Sequence, residues 1–152
     1  MKKILTLISL GLLALSGNAF ADPDNYTAAN GTGCDNYFAG DTAQFNHQFD
    51  GIKNISSSAR WVSCPVDKDN VISLGGLRNP TWVRWSGAGT ISCVLNNFNV
   101  NGVVTQTRSG GMVNSGWFSI PALGLDDFWG TNTMYCLVPA GGILQTYHYF
   151  EI

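Results

Sequence analysis

The chain has 152 residues, a formal net charge of −2 and 12% charged residues. That length fits one domain of ordinary size, and a mildly acidic chain with scattered cations has no electrostatic footprint for nucleic acid or an anionic bilayer. Glu151 is the sole glutamate, strong helix formers are few, and Val, Ile, Thr and aromatic residues are plentiful, which favours strands over helices.

Residues 1–21, MKKILTLISLGLLALSGNAFA, combine a start carrying Lys2 and Lys3, an apolar run and the small-x-small pattern Ala19-Phe20-Ala21. That is the pattern of a secretory signal peptide. No cysteine follows the apolar run, so a lipid anchor is not expected, and no later stretch is apolar enough to span a bilayer. The expected product, residues 22–152, is exported to the periplasm or the medium.

Residues 22–32 (DPDNYTAANGT) read as a flexible N-terminal arm, followed by a single β domain over 33–152. AQFNHQF (43–49) alternates Phe45, His47 and Phe49 against Gln44, Asn46 and Gln48. ARWVSCPV sets Val62 and Cys64 on one face and Trp61 and Ser63 on the other. TWVRWS splits into Val83 with Trp85 and Trp82 with Arg84, and TISCVL groups Ile91, Cys93 and Leu95. Strict alternation of this kind argues half-buried strands, and no stretch sustains a period of about 3.6. In FNVNGVVTQT, Asn101-Gly102 sits between apolar runs and predicts a hairpin with a type I′ turn. SGGMVNSG (109–116) reads as a loop, GWFSI as a strand ended by Pro121, and ALGLDDFWGTN as a connection with room for a helical turn. NTMYCLV and ILQTYHYFEI are the last two strands. Roughly eight to ten short strands and no repeat imply an all-β fold, an antiparallel, jelly-roll-like β-sandwich.

Four cysteines follow the leader. An even number in an oxidising compartment reads as two disulfides. Cys64, Cys93 and Cys136 have apolar same-face neighbours and face the core, whereas Cys34 lies in the Gly-rich GTGCDNY. The favoured pairing is Cys34–Cys64 with Cys93–Cys136, which pins the arm first and the later strands second. A zinc site would bring its ligands in close C-x-x-C pairs, and there are none.

Three segments together, GCDNYFAGDTAQFNHQFDGIKNISSSARWVSCPVDKDN, then ISCVL, then MYCLVPAGGILQTYHYFE, resemble a group of small exported proteins of Gram-negative bacteria. The shared pattern is an early Cys, a Gly-Ile-x-Asn segment, a V-x-C-P motif before a charged turn, and two later strand cysteines. The resemblance covers nearly all of the chain after the leader. It implies export and architecture and no particular activity. The group tends to carry Arg-Asp in the turn where this chain has Lys68-Asp69, which argues against a specific catalytic residue there.

The candidate chemistry is thin. Asp67, Asp69 and Asn70 offer oxygens at alternate positions, but a calcium loop also needs a central glycine and a closing acid, and Val71-Ile72 stand there instead. A solvated turn is the better reading. Asp126 and Asp127 are adjacent, so on an extended chain they point apart, unlike a glycosidase pair. His47 and His148 are the only histidines. No G-x-S-x-G elbow accompanies them, and a two-histidine metal site would lack a third ligand. No cofactor or metal is expected. A small hydrolase would need Asp67, Asp69, Asp126, Asp127 and the histidines to converge. An inhibitor or effector would present SGGMVNSG on the stapled scaffold.

The aromatic surplus is the strongest functional signal. The five tryptophans Trp61, Trp82, Trp85, Trp117 and Trp129 all follow the leader. Outward rings on a sheet make a flat apolar platform able to stack on a sugar ring or a partner side chain. The expectation is an exported, non-enzymatic binding or structural module that recognises a glycan, or another exported protein, through Trp82 or Trp85 and through Tyr147 with Tyr149.

Overall fold

A computed structural model describes residues 25–66, 79–124 and 130–151. Eleven strands occur among them: β1 (Asn25–Asn30), β2 (Asp35–Asn36), β3 (Phe45–Gln48), β4 (Gly51–Asn54), β5 (Arg60–Val66), β6 (Thr81–Ser86), β7 (Thr90–Phe98), β8 (Val104–Val113), β9 (Gly116–Ile120), β10 (Thr131–Val138) and β11 (Ile143–Glu151). The alternating patterns read from the sequence fall on β5, β6, β7, β10 and β11. The extra strands beyond the expected number are mainly short edge pieces.

The strands form two antiparallel sheets packed as a β-sandwich. The first runs β3-β4-β11-β6-β9, and the second β2-β5-β10-β7-β8. β4 lies beside Ile143 and Leu144 at the start of β11, and β1 pairs with β11 from Thr146 to Glu151. The flexible arm expected over 22–32 is therefore corrected over its described part: Asn25–Asn30 is a strand, because β11 extends beyond β4 and offers its remaining ladder groups. Residues 1–24, with the expected signal peptide, lie outside the described residues.

Core residues come from both inner faces. Val62, Cys64, Ile91, Cys93, Leu95, Met134, Cys136 and Val138 of the second sheet meet Ile52, Val83, Trp85, Ile120, Leu144 and Tyr147 of the first, all at most 1% exposed. Cys34 bonds Cys64 and Cys93 bonds Cys136, the pairs that the sequence favours. Both lie within the second sheet: Cys93 is directly opposite Cys136 in the β7–β10 register, and Cys34 immediately precedes β2, which pairs with β5. At the side where the sheets meet, a Cβ on Gly110 of β8 would lie 2.5 Å from the Ser119 carbonyl oxygen of β9. Only a residue without a side chain lets those backbones approach so closely.

Three local expectations are corrected. The strand expected over 43–49 is shortened, since Ala39–Gln44 forms a 3-10 helix. Phe49 does not join Phe45 in the core; it sits in the β3–β4 turn and is 94% exposed. The 101–102 turn is not type I′, because only Gly102 has positive φ (73°). Asn99 Oδ1 accepts from the amides of Asn101 and Val103, and the Asn99 carbonyl accepts from Gly102. One asparagine side chain thus builds a turn with a single left-handed residue. Finally, SGGMVNSG is not a loop. Its first five residues continue β8, paired throughout with β7, and Asn114 (φ 63°) makes the turn into β9.

Candidate functional site

Side-chain parity sets the outer face of the second sheet. Val62 and Cys64 point inward from β5, Met134 and Cys136 from β10, and Cys93 and Leu95 from β7. Trp61, Ser63, Tyr135, Val94, Asn96 and Phe98 are therefore displayed outward. Antiparallel register lines them up in rows. Ser63 is opposite Tyr135 and Tyr135 opposite Val94; Thr133 is opposite Asn96, and Asn96 opposite Thr107.

Tyr37 and Phe38, which come directly after β2, build a wall over this face. The Tyr37 amide donates to the Trp61 carbonyl at 3.1 Å. Its ring meets Tyr135 edge-to-face at 5.2 Å and Phe38 at 4.7 Å. The wall is held from behind. Asn36 Nδ2 donates to the Phe38 carbonyl at 2.7 Å, and the 3-10 helix after Phe38 carries Asp41, whose carboxylate takes Arg60 Nη1 at 3.1 Å. The Cys34–Cys64 bridge fastens the start of the same segment to β5.

The result is a concavity of about 490 Å³ lined by Tyr37, Phe38, Trp61, Val94, Asn96, Phe98, Val104 and Tyr135. Its volume lies within the usual range for a small-molecule site, roughly 300–1,000 Å³. Among the described residues no lining side chain is charged. Tyr37 and Phe38 are 51% and 54% exposed, so their rings are open to a ligand. Asn96 Oδ1 accepts from the Thr107 hydroxyl at 2.9 Å, which leaves the Asn96 amide N–H groups to face the groove. Aromatic plates, a phenol and an amide donor suit a ligand with apolar ring faces and a hydroxyl-rich edge.

The first sheet also has an aromatic outer face. Trp82 and Arg84 point out from β6, and Trp117 stands opposite Arg84 on β9. Arg84 lies over the Trp117 ring at 5.8 Å, and His148 of β11 meets the same ring edge-on at 5.0 Å. Desolvation by burial pushes the His148 imidazole below the ordinary histidine value.

The residues expected to bind divide sharply. Trp82 is exposed, but Trp85 and Tyr147 are each 1% exposed and Tyr149 3%. Those three are corrected: they fill the core and leave almost no surface to a ligand. For Trp85 the cause is strand alternation, since Trp82 takes the opposite face. For the tyrosines it is a β-bulge. Leu144 pairs with Trp85 and Thr146 with Arg84, so Gln145 is an extra residue that reverses the parity of the rest of the strand. Tyr147 and Tyr149 turn inward and stack on each other at 6.2 Å.

The sequence patterns do not single out Tyr37, Phe38, Trp61, Phe98 and Tyr135 as binding residues, yet these rings line the groove. The signal that finds Trp61 and Tyr135 is their odd spacing from the core-facing Cys64 and Cys136. Among the hydrolase candidates, His47 is exposed, its Nδ1 3.2 Å from the Thr32 carbonyl, and His148 packs on Trp117. Asp67, Asp69, Asn70, Asp126, Asp127 and Trp129 lie outside the described residues. Among the described residues no three His, Cys, Asp or Glu side chains converge as a metal site would require, and no helix is long and apolar enough to cross a membrane. The effector reading loses its presented loop, because Ser109–Val113 is locked into β8 by pairing with β7.

No family model and no curated protein matches the sequence. Among solved structures, the chain is similar to a GH26-CBM35 β-(1,4)-mannanase of Podospora anserina, at 15% identity and a TM-score of 0.45. That match covers 85% of this chain and 28% of the mannanase chain. It is also similar to TmCBM61 in complex with β-1,4-galactotriose, at 14% identity, a TM-score of 0.32 and 83% of each chain.

Proposed function

We propose that this chain is an exported, non-catalytic glycan-binding module that holds a neutral saccharide on the outer face of its second sheet. The observation that carries the reading is the groove itself: a concavity of about 490 Å³ walled by Tyr37, Phe38, Trp61 and Tyr135 with Asn96 beside them, and with no charged side chain among its described lining residues. Sugar rings have apolar faces and polar edges. A site of flat rings and a fixed amide matches both without any charge to neutralise. The wall stands on regular strands, a disulfide and an ion pair, so its rings are held in place before a ligand arrives.

The test is titration of the intact protein with a panel of neutral β-linked oligosaccharides and polysaccharides, read by tryptophan fluorescence and calorimetry. At least one member should bind saturably. Trp61→Ala and Tyr135→Ala should each weaken that binding by more than about tenfold, the loss expected of a central aromatic anchor. Failure of the whole panel to bind, or full affinity retained in both variants, would remove the groove as a glycan site.

A further inference from the structure

We propose a second binding site, on the outer face of the first sheet, for a carboxylate-bearing sugar seated on Trp117 with its carboxylate taken by Arg84. The site is separate from the groove, which lies on the opposite sheet and whose described lining residues carry no charge.

Two observations carry it. The first is charge. β6 and β9, the strands that carry the site, hold Arg84 and no Asp or Glu, and the one carboxylate in the strands of this sheet, Glu151, comes five residues beyond Thr146, the β11 partner of Arg84. The one ion pair among the described residues, Arg60 with Asp41, lies at the wall of the other sheet. Among the described residues no carboxylate or carbonyl takes the Arg84 guanidinium. A guanidinium held over an indole keeps its fork of N–H donors in its own plane, where a carboxylate can accept two of them at once.

The second is shape. Arg84 and Trp117 border a concavity of about 340 Å³ together with Ser86, Ser115, Gly116 and Gln145. The Ser115 hydroxyl is already engaged with the Gly87 backbone, which leaves the Ser86 hydroxyl and Gln145 amide as hydroxyl-directed partners. Trp117 is 41% exposed and Trp82, two residues before Arg84, 44%. Two half-open indoles flank a cation that no described carboxylate takes, and that combination suits an acidic sugar better than a neutral one or a bare anion.

The intact protein is titrated by calorimetry with trigalacturonate, triglucuronate and trimannuronate, and with the methyl ester of each as an uncharged control. At least one acidic trimer should bind saturably, its ester at least tenfold more weakly, and added NaCl should weaken the acidic trimer alone. Arg84→Gln should reduce affinity by about ten- to a hundredfold. Arg84→Lys, which keeps the charge and loses the fork, should fall between the two. Trp61→Ala, in the groove, should bind the acidic trimer as the parent does. The inference is overturned if no acidic trimer binds, if the ester binds equally well, or if both Arg84 variants keep full affinity. It is equally overturned if Trp61→Ala abolishes the binding, since the acidic sugar then sits in the groove.

Discussion

The Tyr147 hydroxyl donates a 2.6 Å hydrogen bond to the Pro65 carbonyl, crossing from β11 in one sheet to β5 in the other. Tyr147 is almost wholly buried, so its hydroxyl needs a partner inside the protein, and that carbonyl supplies one. The proline of the V-x-C-P motif thus ties the last strand to the second sheet. Removing only the hydroxyl, in Tyr147→Phe, should lower stability by about 1–1.5 kcal/mol. Tyr147→Ala, which also empties a large core volume, should cost about 3–5 kcal/mol. Urea unfolding of both variants reads the difference, and a Phe variant as stable as the parent would show that the bond contributes nothing.

Asn54 closes the Gly-Ile-x-Asn segment and is wholly buried. Its Nδ2 donates to the Val138 and Ser58 carbonyls at 2.8 and 2.9 Å, and its Oδ1 accepts from the Ser56 amide and hydroxyl. Its backbone is tied to the β10–β11 turn in both directions, through Gly142 and Gly141. One side chain therefore clamps the β4–β5 connection to the end of β10. Asn54→Ala should lower stability by about 2–4 kcal/mol, since it strands buried groups as well as losing bonds. Asn54→Asp should do no better, because it deletes both donors and buries a carboxylate. Thermal and chemical denaturation would expose a weaker role if either change were mild.

The sandwich was legible because its inner faces alternate strictly over long strands. In β5, β7 and β10 the cysteines mark the buried parity, and Val62, Ile91 and Met134 agree with them. The outer face of the second sheet can be inferred from the same marks, so Trp61 and Tyr135 were readable in principle. Tyr37 and Phe38 were not. They become a wall only when Asp41 meets Arg60 and Cys34 meets Cys64, and no local period encodes such long-range contacts. β11 misled for a different reason. A single bulge at Gln145 exchanges inside for outside, and a run such as LQTYHYF has apolar residues on both faces to hide the slip. The type I′ turn failed because Asn99, two residues earlier, competes for the same backbone amides.

The Cys34–Cys64 bridge links stability to the groove. Its closure over a sequence separation of 30 residues contributes roughly 3–4 kcal/mol on the chain-entropy argument. It also fastens the segment bearing Tyr37 and Phe38. Cys93–Cys136 closes over 43 residues and contributes a similar amount, but it joins two central strands that already pair along their length. The double variants Cys34→Ser/Cys64→Ser and Cys93→Ser/Cys136→Ser should therefore lose comparable stability. Only the first should show faster amide exchange at residues 35–41 and, where a neutral glycan binds, a loss of affinity out of proportion to its stability. Equal exchange at those residues in both variants would separate the bridge from the wall.

Burial at the Trp117 ring holds the His148 imidazole below its ordinary value of about 6.5. Protonation is then harder in the folded protein than in the unfolded chain. Between the lower folded value and about 6.5 the unfolded state binds more protons, so stability falls as pH falls through that window. Above about 6.5 the imidazole is neutral in both states and its contribution is complete; below the folded value the loss is complete and the slope vanishes. In an NMR titration, with His148→Gln used for assignment, the imidazole of His148 should titrate below its ordinary value of about 6.5. The His148→Gln variant should also unfold with a flatter pH dependence than the parent in the window just below about 6.5. A His148 that titrates at or above its ordinary value would mean that the Trp117 ring leaves it open to water, and the outer face of the first sheet would then be looser than the 5.0 Å ring contact implies.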